Sequence, residues 1–285
     1  MHYAPAGHYY SPLPGLKDLR EFEGELFKRD ADCPGIDLRE DEQLDLLGTL
    51  AAYYEEAPFP EHSTPAMRYY YENSFFSYGD AMLLYGLLRH LRPRQVIEVG
   101  SGFSSALMLD TDEVFMDNSI AFTFIDPRLD GLEKLIRDGD RQRVQVVGQP
   151  VQRVPLDRFE ALEAGDILFI DSSHVVKIGS DVVYLLFEVL PRLKEGVVVH
   201  FHDIFWPFQY PEAWIRAGRA WNEAYFVRAF LQFNRWFEIL YFCSFIAVRH
   251  GRHLQERMPL CLRDPGCSLW LRKAAGPKEG MPQKA

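Results

Sequence analysis

Hydrophobic and polar positions alternate between two periods along most of this chain. From residue 95 onwards, short apolar runs rich in β-branched and aromatic residues predict buried strands. These strands are expected at 95–99, 121–125, 144–147, 167–170 and 196–200. Segments with helical spacing separate them, most clearly Ser180–Leu193. The alternation predicts an α/β fold: a Rossmann-like, doubly wound, mostly parallel seven-stranded sheet with helices on both faces and an N-terminal helical and loop extension.

The pattern before residue 95 is less regular. Residues 38–57 carry leucines at helical spacing, and Ser77-x-x-Asp80 predicts a capping box that opens a helix running to Leu91. Residues 1–36 are rich in Pro, Gly and Tyr, and we expect an ordered arm that buries its aromatic side chains. These aromatic residues are Tyr3, Tyr9, Tyr10 and Phe22.

Beyond the fifth predicted strand, residues 211–234 have the spacing of one long amphipathic helix. The apolar runs 237–241 and 245–248 predict a closing strand pair. We divide the chain into an N-terminal extension over 1–76, a cofactor-binding α/β domain over 77–273 and a flexible tail over 274–285. The extension is expected to act as a lid on the substrate side.

A glycine-containing turn follows the first predicted strand, in the stretch QVIEVGSGFSS at 95–105. Gly100 and Gly102 leave room for a ligand close to the backbone, and the helix that follows offers free N–H groups. The second strand ends in Asp126, where an acid binds the ribose hydroxyls of a nucleotide in doubly wound folds. This order of elements predicts a site for a nucleoside cofactor.

The identity of the cofactor follows from two residues. Ser105 occupies the position of the third glycine in the dinucleotide fingerprint, which disfavours an NAD-dependent dehydrogenase. Glu98 is unsuited to a pyrophosphate and suits a cofactor with a cationic amino-acid end. The segment resembles the first motif, E/D-x-G-x-G, of class I S-adenosylmethionine-dependent methyltransferases. The resemblance implies that Asp126 binds the ribose, and that the rest of the cofactor site is formed by Glu98, Gly100, Ser101, Gly102, Ser104 and Asp171.

Polar residues also follow the fourth and fifth predicted strands, in GDILFIDSSHVVK and GVVVHFHDIFWP. Asp171, His202 and Asp203 predict a divalent metal site at neighbouring strand ends. Carboxylates suit Mg²⁺, Ca²⁺ or Mn²⁺, whereas an imidazole favours Mn²⁺, Fe²⁺ or Zn²⁺. His174, one turn beyond Asp171, is a candidate base. Taken singly, a histidine at a strand end is more often structural than a ligand, Asp171 is also typical of a helix cap, and Asp203 of an Asx turn. His200 is expected to be structural.

These two segments are similar to the metal-dependent O-methyltransferase group that contains macrolide-sugar and cephamycin-pathway enzymes, and more distantly to catechol O-methyltransferases. The similarity spans about residues 70–250. It implies that Asp171 and Asp203 are metal ligands, that His202 occupies the middle ligand position, and that His174 is the base. The close relatives have an acid where this chain has His202, which leaves the metal open among Mg²⁺, Mn²⁺ and Fe²⁺.

The predicted function is therefore S-adenosylmethionine-dependent, metal-assisted methyl transfer to a hydroxyl of a small polyhydroxylated molecule, a sugar or natural-product intermediate. Two alternatives stay open: a His/Asp-bound iron that performs oxygen-dependent chemistry, and a non-catalytic cofactor-binding partner protein. The acceptor is expected to lie near the arm and the segment after the fifth strand. Candidate wall residues are His8, Tyr9, Tyr10, Trp206, Phe208 and Tyr210.

Composition narrows the partners. The 285 residues carry a formal net charge of −10, which argues against nucleic acid as a partner. The four cysteines include no C-x-x-C pair, which favours a reduced, cytoplasmic setting. No apolar stretch approaches the length of a membrane span, and the N-terminus lacks a secretory pattern. A small-molecule acceptor is the expected partner, and the sequence leaves open whether the chain forms a homo-oligomer.

Overall fold

Helices and strands alternate along the chain in the order expected of an α/β protein. The computed structural model describes residues 3–28 and 32–276. In chain order, their helices and strands are α1 (Leu16–Glu21), α2 (Glu23–Leu26), α3 (Glu40–Leu50), α4 (Tyr78–Leu91), β1 (Gln95–Val99), α5 (Phe103–Phe115), β2 (Ala121–Ile125), α6 (Asp130–Glu133), β3 (Val144–Val147), α7 (Leu156–Glu160), β4 (Ile167–Ile170), α8 (Asp181–Tyr184), β5 (Val198–Phe201), α9 (Glu212–Arg216), α10 (Glu223–Leu231), β6 (Phe237–Phe242), α11 (Cys243–Arg257) and β7 (Leu269–Lys273). None of the helices described is long and apolar enough to cross a membrane.

The seven strands form one sheet in the order β3-β2-β1-β4-β5-β7-β6. Strands β1 to β5 are parallel, and β7 runs antiparallel between β5 and β6. The predicted fold class is confirmed. The strand order reverses at β1, which has β2 on one side and β4 on the other. Ligands bind at such reversals, outside the carboxyl ends of the strands.

The first four predicted strands coincide with β1 to β4. Their apolar side chains are almost all buried, as expected for strands covered on both faces. The fifth strand begins at Val198 rather than at residue 196. Gly196 adopts a φ of 83° and donates its N–H to the carbonyl of Lys273, so it belongs to the preceding turn.

Two predictions for the C-terminal part are wrong. Residues 245–248 lie in α11, and the strand that pairs with β6 is β7. The predicted helix over 211–234 is two helices, α9 and α10, because Gly218 adopts a φ of 85° between them. Ser180 does cap α8 as the helical pattern indicates, since its Oγ accepts the N–H of Val183. That helix continues only as a π turn and a 3₁₀ turn up to Arg192.

The predicted helix after Ser77 is α4, but the capping box is wrong. The Ser77 hydroxyl donates to the carbonyl of Tyr71, 3.0 Å away, rather than capping the helix. The Asp80 carboxylate, which is buried, accepts the backbone N–H groups of Cys267 and Ser268 at 3.0 and 2.9 Å. A charged side chain of α4 thus fixes the start of β7, nearly two hundred residues later.

The N-terminal extension does not bury its aromatic residues as predicted. Tyr3, Tyr9 and Tyr10 are 92%, 81% and 61% exposed, and Phe22 is 48% exposed. A buried arginine anchors the end of the extension instead: the Arg68 guanidinium forms ion pairs of 2.6 Å with both Asp110 and Asp140. The lid role of residues 1–76 stays a prediction. The predicted flexible tail lies, from residue 277 onwards, outside the described residues.

Candidate active site

The two glycines of the turn after β1 have different surroundings. Gly100 adopts a φ of 86°, and a Cβ built on it would lie 1.7 Å from the carbonyl oxygen of Asp171. Gly100 is therefore required by the contact between the turn and the end of β4. Gly102 has an extended φ of 177°, and its Cβ would meet no described atom within 4 Å. Only the second glycine leaves open space beside the backbone.

A cleft of about 380 Å³ lies at the carboxyl ends of β1, β2 and β4. Three of the predicted cofactor residues, Gly100, Asp126 and Asp171, are on its wall. The Asp126 carboxylate accepts the backbone N–H of Ser101 at 3.0 Å and that of Arg128 at 2.8 Å. Asp126 thus links β2 to the glycine turn and presents a carboxylate to the cleft.

Two other predicted cofactor residues, Glu98 and Ser104, lie behind the turn rather than on the cleft wall. Glu98 is fully buried, and its carboxylate accepts the hydroxyls of Ser104 and Ser105. Burial raises the pKa of Glu98 to about 8, although both hydroxyls favour the charged form. Direct contact of Glu98, Ser101, Gly102 and Ser104 with a cofactor stays a prediction.

Three polar side chains meet next to this cleft. Nε2 of His174 lies 3.3 Å from an oxygen of Asp171 and 3.4 Å from an oxygen of Asp203. The ligating atoms of the three residues all lie within 4.8 Å of one another. His174 and Asp203 both adopt left-handed backbone conformations, with φ of 58° and 57°. Such strain in non-glycine residues is concentrated at functional sites.

A residue that the sequence reading missed holds His174 in place. Glu223, at the start of α10, is buried and contacts Nδ1 of His174 at 2.9 Å. The N–H groups of Asn222 and Glu223 donate to the His174 carbonyl, and the Trp221 ring lies 4.5 Å from the imidazole. Burial alone would lower the pKa of His174, but the hydrogen bonds with Asp171 and Glu223 raise it well above its ordinary value.

His202 lies apart from this group, which corrects the predicted ligand set. The structure groups it with Asp80 and Cys267, whereas Asp203 joins Asp171 and His174. The His202 ring packs on Phe76, 5.3 Å between ring centroids, and lies 5.5 Å from the ring of His200. His200 itself is buried, stacks on Phe169 at 3.6 Å and contacts the Ser268 hydroxyl at 2.9 Å, in keeping with a structural role.

The predicted wall residues fall into two sets. Tyr9 and Tyr10 lie on the surface and stack around His8. The others, Trp206, Phe208 and Tyr210, are buried in the core.

A second cavity of about 310 Å³ lies between the N-terminal arm and the α9–α10 region. Its lining includes Phe22, Arg219, Trp221 and Tyr225, so the Trp221 ring contacts His174 and also borders this cavity.

Comparisons with known proteins agree with these observations. Residues 97–204 match the family model described as a methyltransferase domain. An uncharacterised protein of Archaeoglobus fulgidus is 34% identical over 166 residues, which are 56% of this chain and 73% of that protein.

Among solved structures, the chain is similar to an SAH-bound methyltransferase of Podospora anserina, at 14% identity and a TM-score of 0.44, over 93% of this chain and 99% of that one. It is also similar to the O-methyltransferase TomG of Streptomyces achromogenes, involved in tomaymycin synthesis and solved with SAM. That similarity has 15% identity and a TM-score of 0.42, over 91% of this chain and 96% of TomG.

The domain match contains the glycine turn, Asp126, the Asp171–His174 segment and Asp203, but neither Asp80, Glu223 nor Cys267. The matched segment runs from β1 to the residues just after β5 and includes the glycine turn that borders the cleft. The chain belongs to the class I S-adenosylmethionine-dependent methyltransferases.

Proposed function

We propose that this protein transfers a methyl group from S-adenosylmethionine to a hydroxyl of a small polyhydroxylated acceptor, a sugar or natural-product intermediate, with the help of a divalent cation. One observation carries the proposal: Asp171, His174 and Asp203 converge at the rim of the cleft. Asp171 belongs both to this group and to the cleft wall, so a bound cofactor and the group that handles protons are adjacent.

The cleft fits the cofactor in shape and in chemistry. Asp126 offers a carboxylate at the end of β2, where a ribose hydroxyl finds its partner in doubly wound folds. Open space beside Gly102 allows a ligand to approach the backbone at the start of α5. When bound, S-adenosylmethionine supplies an electrophilic methyl group, and the protein's part is to hold the accepting oxygen in line with it.

The carboxylates of Asp171 and Asp203, next to the imidazole of His174, also fit a divalent cation. Nε2 of His174 lies 3.3 Å from an Asp171 oxygen and 3.4 Å from an Asp203 oxygen, so it would be adjacent to a hydroxyl held by a cation on those carboxylates. Two carboxylate ligands suit Mg²⁺, Mn²⁺ or Fe²⁺. A bound cation lowers the pKa of an acceptor hydroxyl.

We assign proton acceptance to Nε2 of His174. Glu223 contacts Nδ1 and fixes the ring so that Nε2 is directed towards the two aspartates. The buried carboxylate of Glu223 also stabilises the imidazolium that forms when the proton is taken up. The cavity beyond Trp221 is the proposed place for the acceptor, because Trp221 separates it from His174 by a single ring.

The structure disfavours the iron-dependent alternative. That chemistry uses two histidines and one carboxylate on the same ion. His174 and His202 belong to different groups among the described residues.

The test combines binding with turnover. S-adenosylhomocysteine should bind in calorimetry and NADH should not. Methyl transfer to a panel of sugars and catechols should stop in excess chelator after dialysis and return with Mg²⁺, Mn²⁺ or Fe²⁺. Asp171→Asn and Asp203→Asn should lose cation-dependent turnover. Asp203→Asn, outside the cleft wall, should keep cofactor binding. Full turnover in chelator would remove the cation from the proposal, and binding of NADH alone would overturn the proposal.

A further inference from the structure

A second group of ligand-type side chains lies on the inner side of Asp203. Asp80, His202 and Cys267 are all buried, and their ligating atoms lie within 4.8 Å of one another. The Cys267 Sγ lies 3.7 Å from an oxygen of Asp80 and 3.8 Å from Nε2 of His202. It also lies 3.2 Å from Oδ1 of Asp203. Three side chains, from α4 and the end of β5, therefore surround the sulfur atom of Cys267, which lies just before β7.

His202 is the unsatisfied member of this group. Its side chain is almost completely buried, and Nδ1 has no hydrogen-bond partner among the described residues. Nε2 has only the long contact with the Cys267 sulfur. Buried imidazoles normally form proper hydrogen bonds, because an unpaired buried polar atom is costly. Nε2, the ring nitrogen that faces the thiol without a short hydrogen bond, is therefore the atom available to a metal ion.

The spacing matches a zinc site. With Zn–S of about 2.3 Å and Zn–N or Zn–O of about 2.0–2.1 Å, ligand atoms at a tetrahedral angle lie roughly 3.5 Å from the sulfur. The three observed separations from Sγ are 3.2, 3.7 and 3.8 Å. The Asp80 oxygen Oδ1 accepts the Ser268 N–H and hydroxyl. Its other oxygen, Oδ2, accepts the Cys267 N–H at 3.1 Å and lies 3.7 Å from the sulfur, so it is the oxygen that would face a metal ion.

We infer that Asp80, His202 and Cys267 form a buried zinc-binding site, with Oδ1 of Asp203 as the fourth ligand. Zinc would bind the Cys267 thiolate, and the thiol proton would pass to solvent. Asp203 would then have one oxygen in this site and its other oxygen, Oδ2, beside His174. A thiolate favours Zn²⁺ over Mg²⁺, so the two neighbouring groups would select different ions. This inference does not depend on methyl transfer.

Cobalt provides a direct probe. Metal-free full-length protein should take up Co²⁺ and show a thiolate-to-cobalt charge-transfer band in the near ultraviolet, which Zn²⁺ should abolish. Cys267→Ala should lose the band, and His202→Asn should lose or strongly weaken it. Cys33→Ala is the matched control, because Cys33 is also a buried thiol and lies outside the group. Asp171→Asn should keep the band even if turnover is lost.

Three outcomes would overturn the inference: wild-type protein that shows no band with Co²⁺, a band that persists in Cys267→Ala, or a band lost in Cys33→Ala. Circular dichroism of each variant checks that it is folded. The wild-type measurement decides by itself if Cys267→Ala does not fold. Wild-type protein that shows the band but transfers no methyl group to any acceptor would count against the proposed function and leave the zinc site standing.

Discussion

The cofactor side and the proton-transfer side of the candidate active site are built in different ways. The turn and the ribose-position acid of the cofactor side come from one continuous stretch, 95–126, and Asp171 and its neighbours complete the cleft wall. The proton-transfer side gathers single side chains from β4, β5 and α10. Local sequence determines the first side, and long-range packing determines the second.

Left-handed backbone conformations occur on both sides of the site, and they are stabilised in different ways. Gly100 reaches a φ of 86° without steric cost, because it has no Cβ. His174 and Asp203 adopt φ of 58° and 57° with full side chains, and contacts from distant elements hold them there. A conformation of this kind costs about 1–3 kcal/mol in a non-glycine residue. The cofactor side should therefore be sensitive to backbone changes and the other side to loss of side-chain partners.

The largest effect is expected at the first glycine. Gly100→Ala places a Cβ against the Asp171 carbonyl and strains a left-handed φ, so it should lower the free energy of unfolding by roughly 3–5 kcal/mol. Gly102→Ala is the matched control, because its Cβ would meet no described atom within 4 Å. It should unfold like the wild type in urea while weakening S-adenosylhomocysteine binding. Equal stability of the two variants would contradict this difference.

The next effect concerns His174. His174→Ala should lower the turnover number by about 10²- to 10⁴-fold, the usual contribution of a positioned acid–base group. The wild-type rate should fall on the acid side, where the imidazole carries its proton, and this acid limb should vanish in the variant. A cation titration followed by turnover separates two roles. Unchanged cation affinity supports the base, whereas its loss would make His174 a ligand instead.

The sequence predicts the strands and the glycine turn of the cofactor side because their signals are local. Strands β1 to β4 are short apolar runs bounded by turn residues, and the Gly100 turn is legible from spacing alone. The run 245–248 failed because four apolar residues do not distinguish a strand from a buried stretch of helix. The capping box at Ser77 and Asp80 was a wrong prediction because the actual partners of Asp80, Cys267 and Ser268, are far away in sequence.

The remaining residues of the proton-transfer side carry no local signal. Glu223 is one acid among many at the start of a helix, and only the fold brings it to His174. His202 is predicted as a ligand next to Asp171, but the fold places it beside Asp80 and Cys267, two residues far away in sequence. Spacing within one segment, as between Asp171 and His174, is the kind of information that the sequence carries.

A smaller effect should follow from removing a charge behind His174. Glu223→Gln keeps the size of the side chain and allows a hydrogen bond to Nδ1, but removes the carboxylate. Turnover should fall by about 10- to 100-fold, as for other partners that orient a functional histidine. The acid limb of the rate profile should also move to lower pH, because a lost negative charge lowers the pKa of the imidazole. A purely structural role for Glu223 would leave the position of that limb unchanged.

The smallest predicted signal is a proton released on the cofactor side. The pKa of Glu98 is raised to about 8 by burial, so the free protein keeps this proton at pH 7. The unfolded chain releases it near the ordinary value, which means that Glu98 lowers stability as pH rises from about 4.5 to 8. A bound ammonium group nearby favours the carboxylate and expels the proton.

Calorimetry of S-adenosylhomocysteine binding in buffers of different ionisation enthalpy should therefore detect release of up to about one proton at pH 7, falling to none well above pH 8, where Glu98 is already ionised. Glu98→Gln keeps the side-chain size and should abolish the release attributable to this residue. It should also make unfolding less pH-dependent between pH 5 and 8. Identical proton counts for the wild type and Glu98→Gln would show that the cationic end of the cofactor binds away from Glu98. Cofactor binding would then depend on residues outside the glycine turn, although the turn is the part of the site that the local sequence determines.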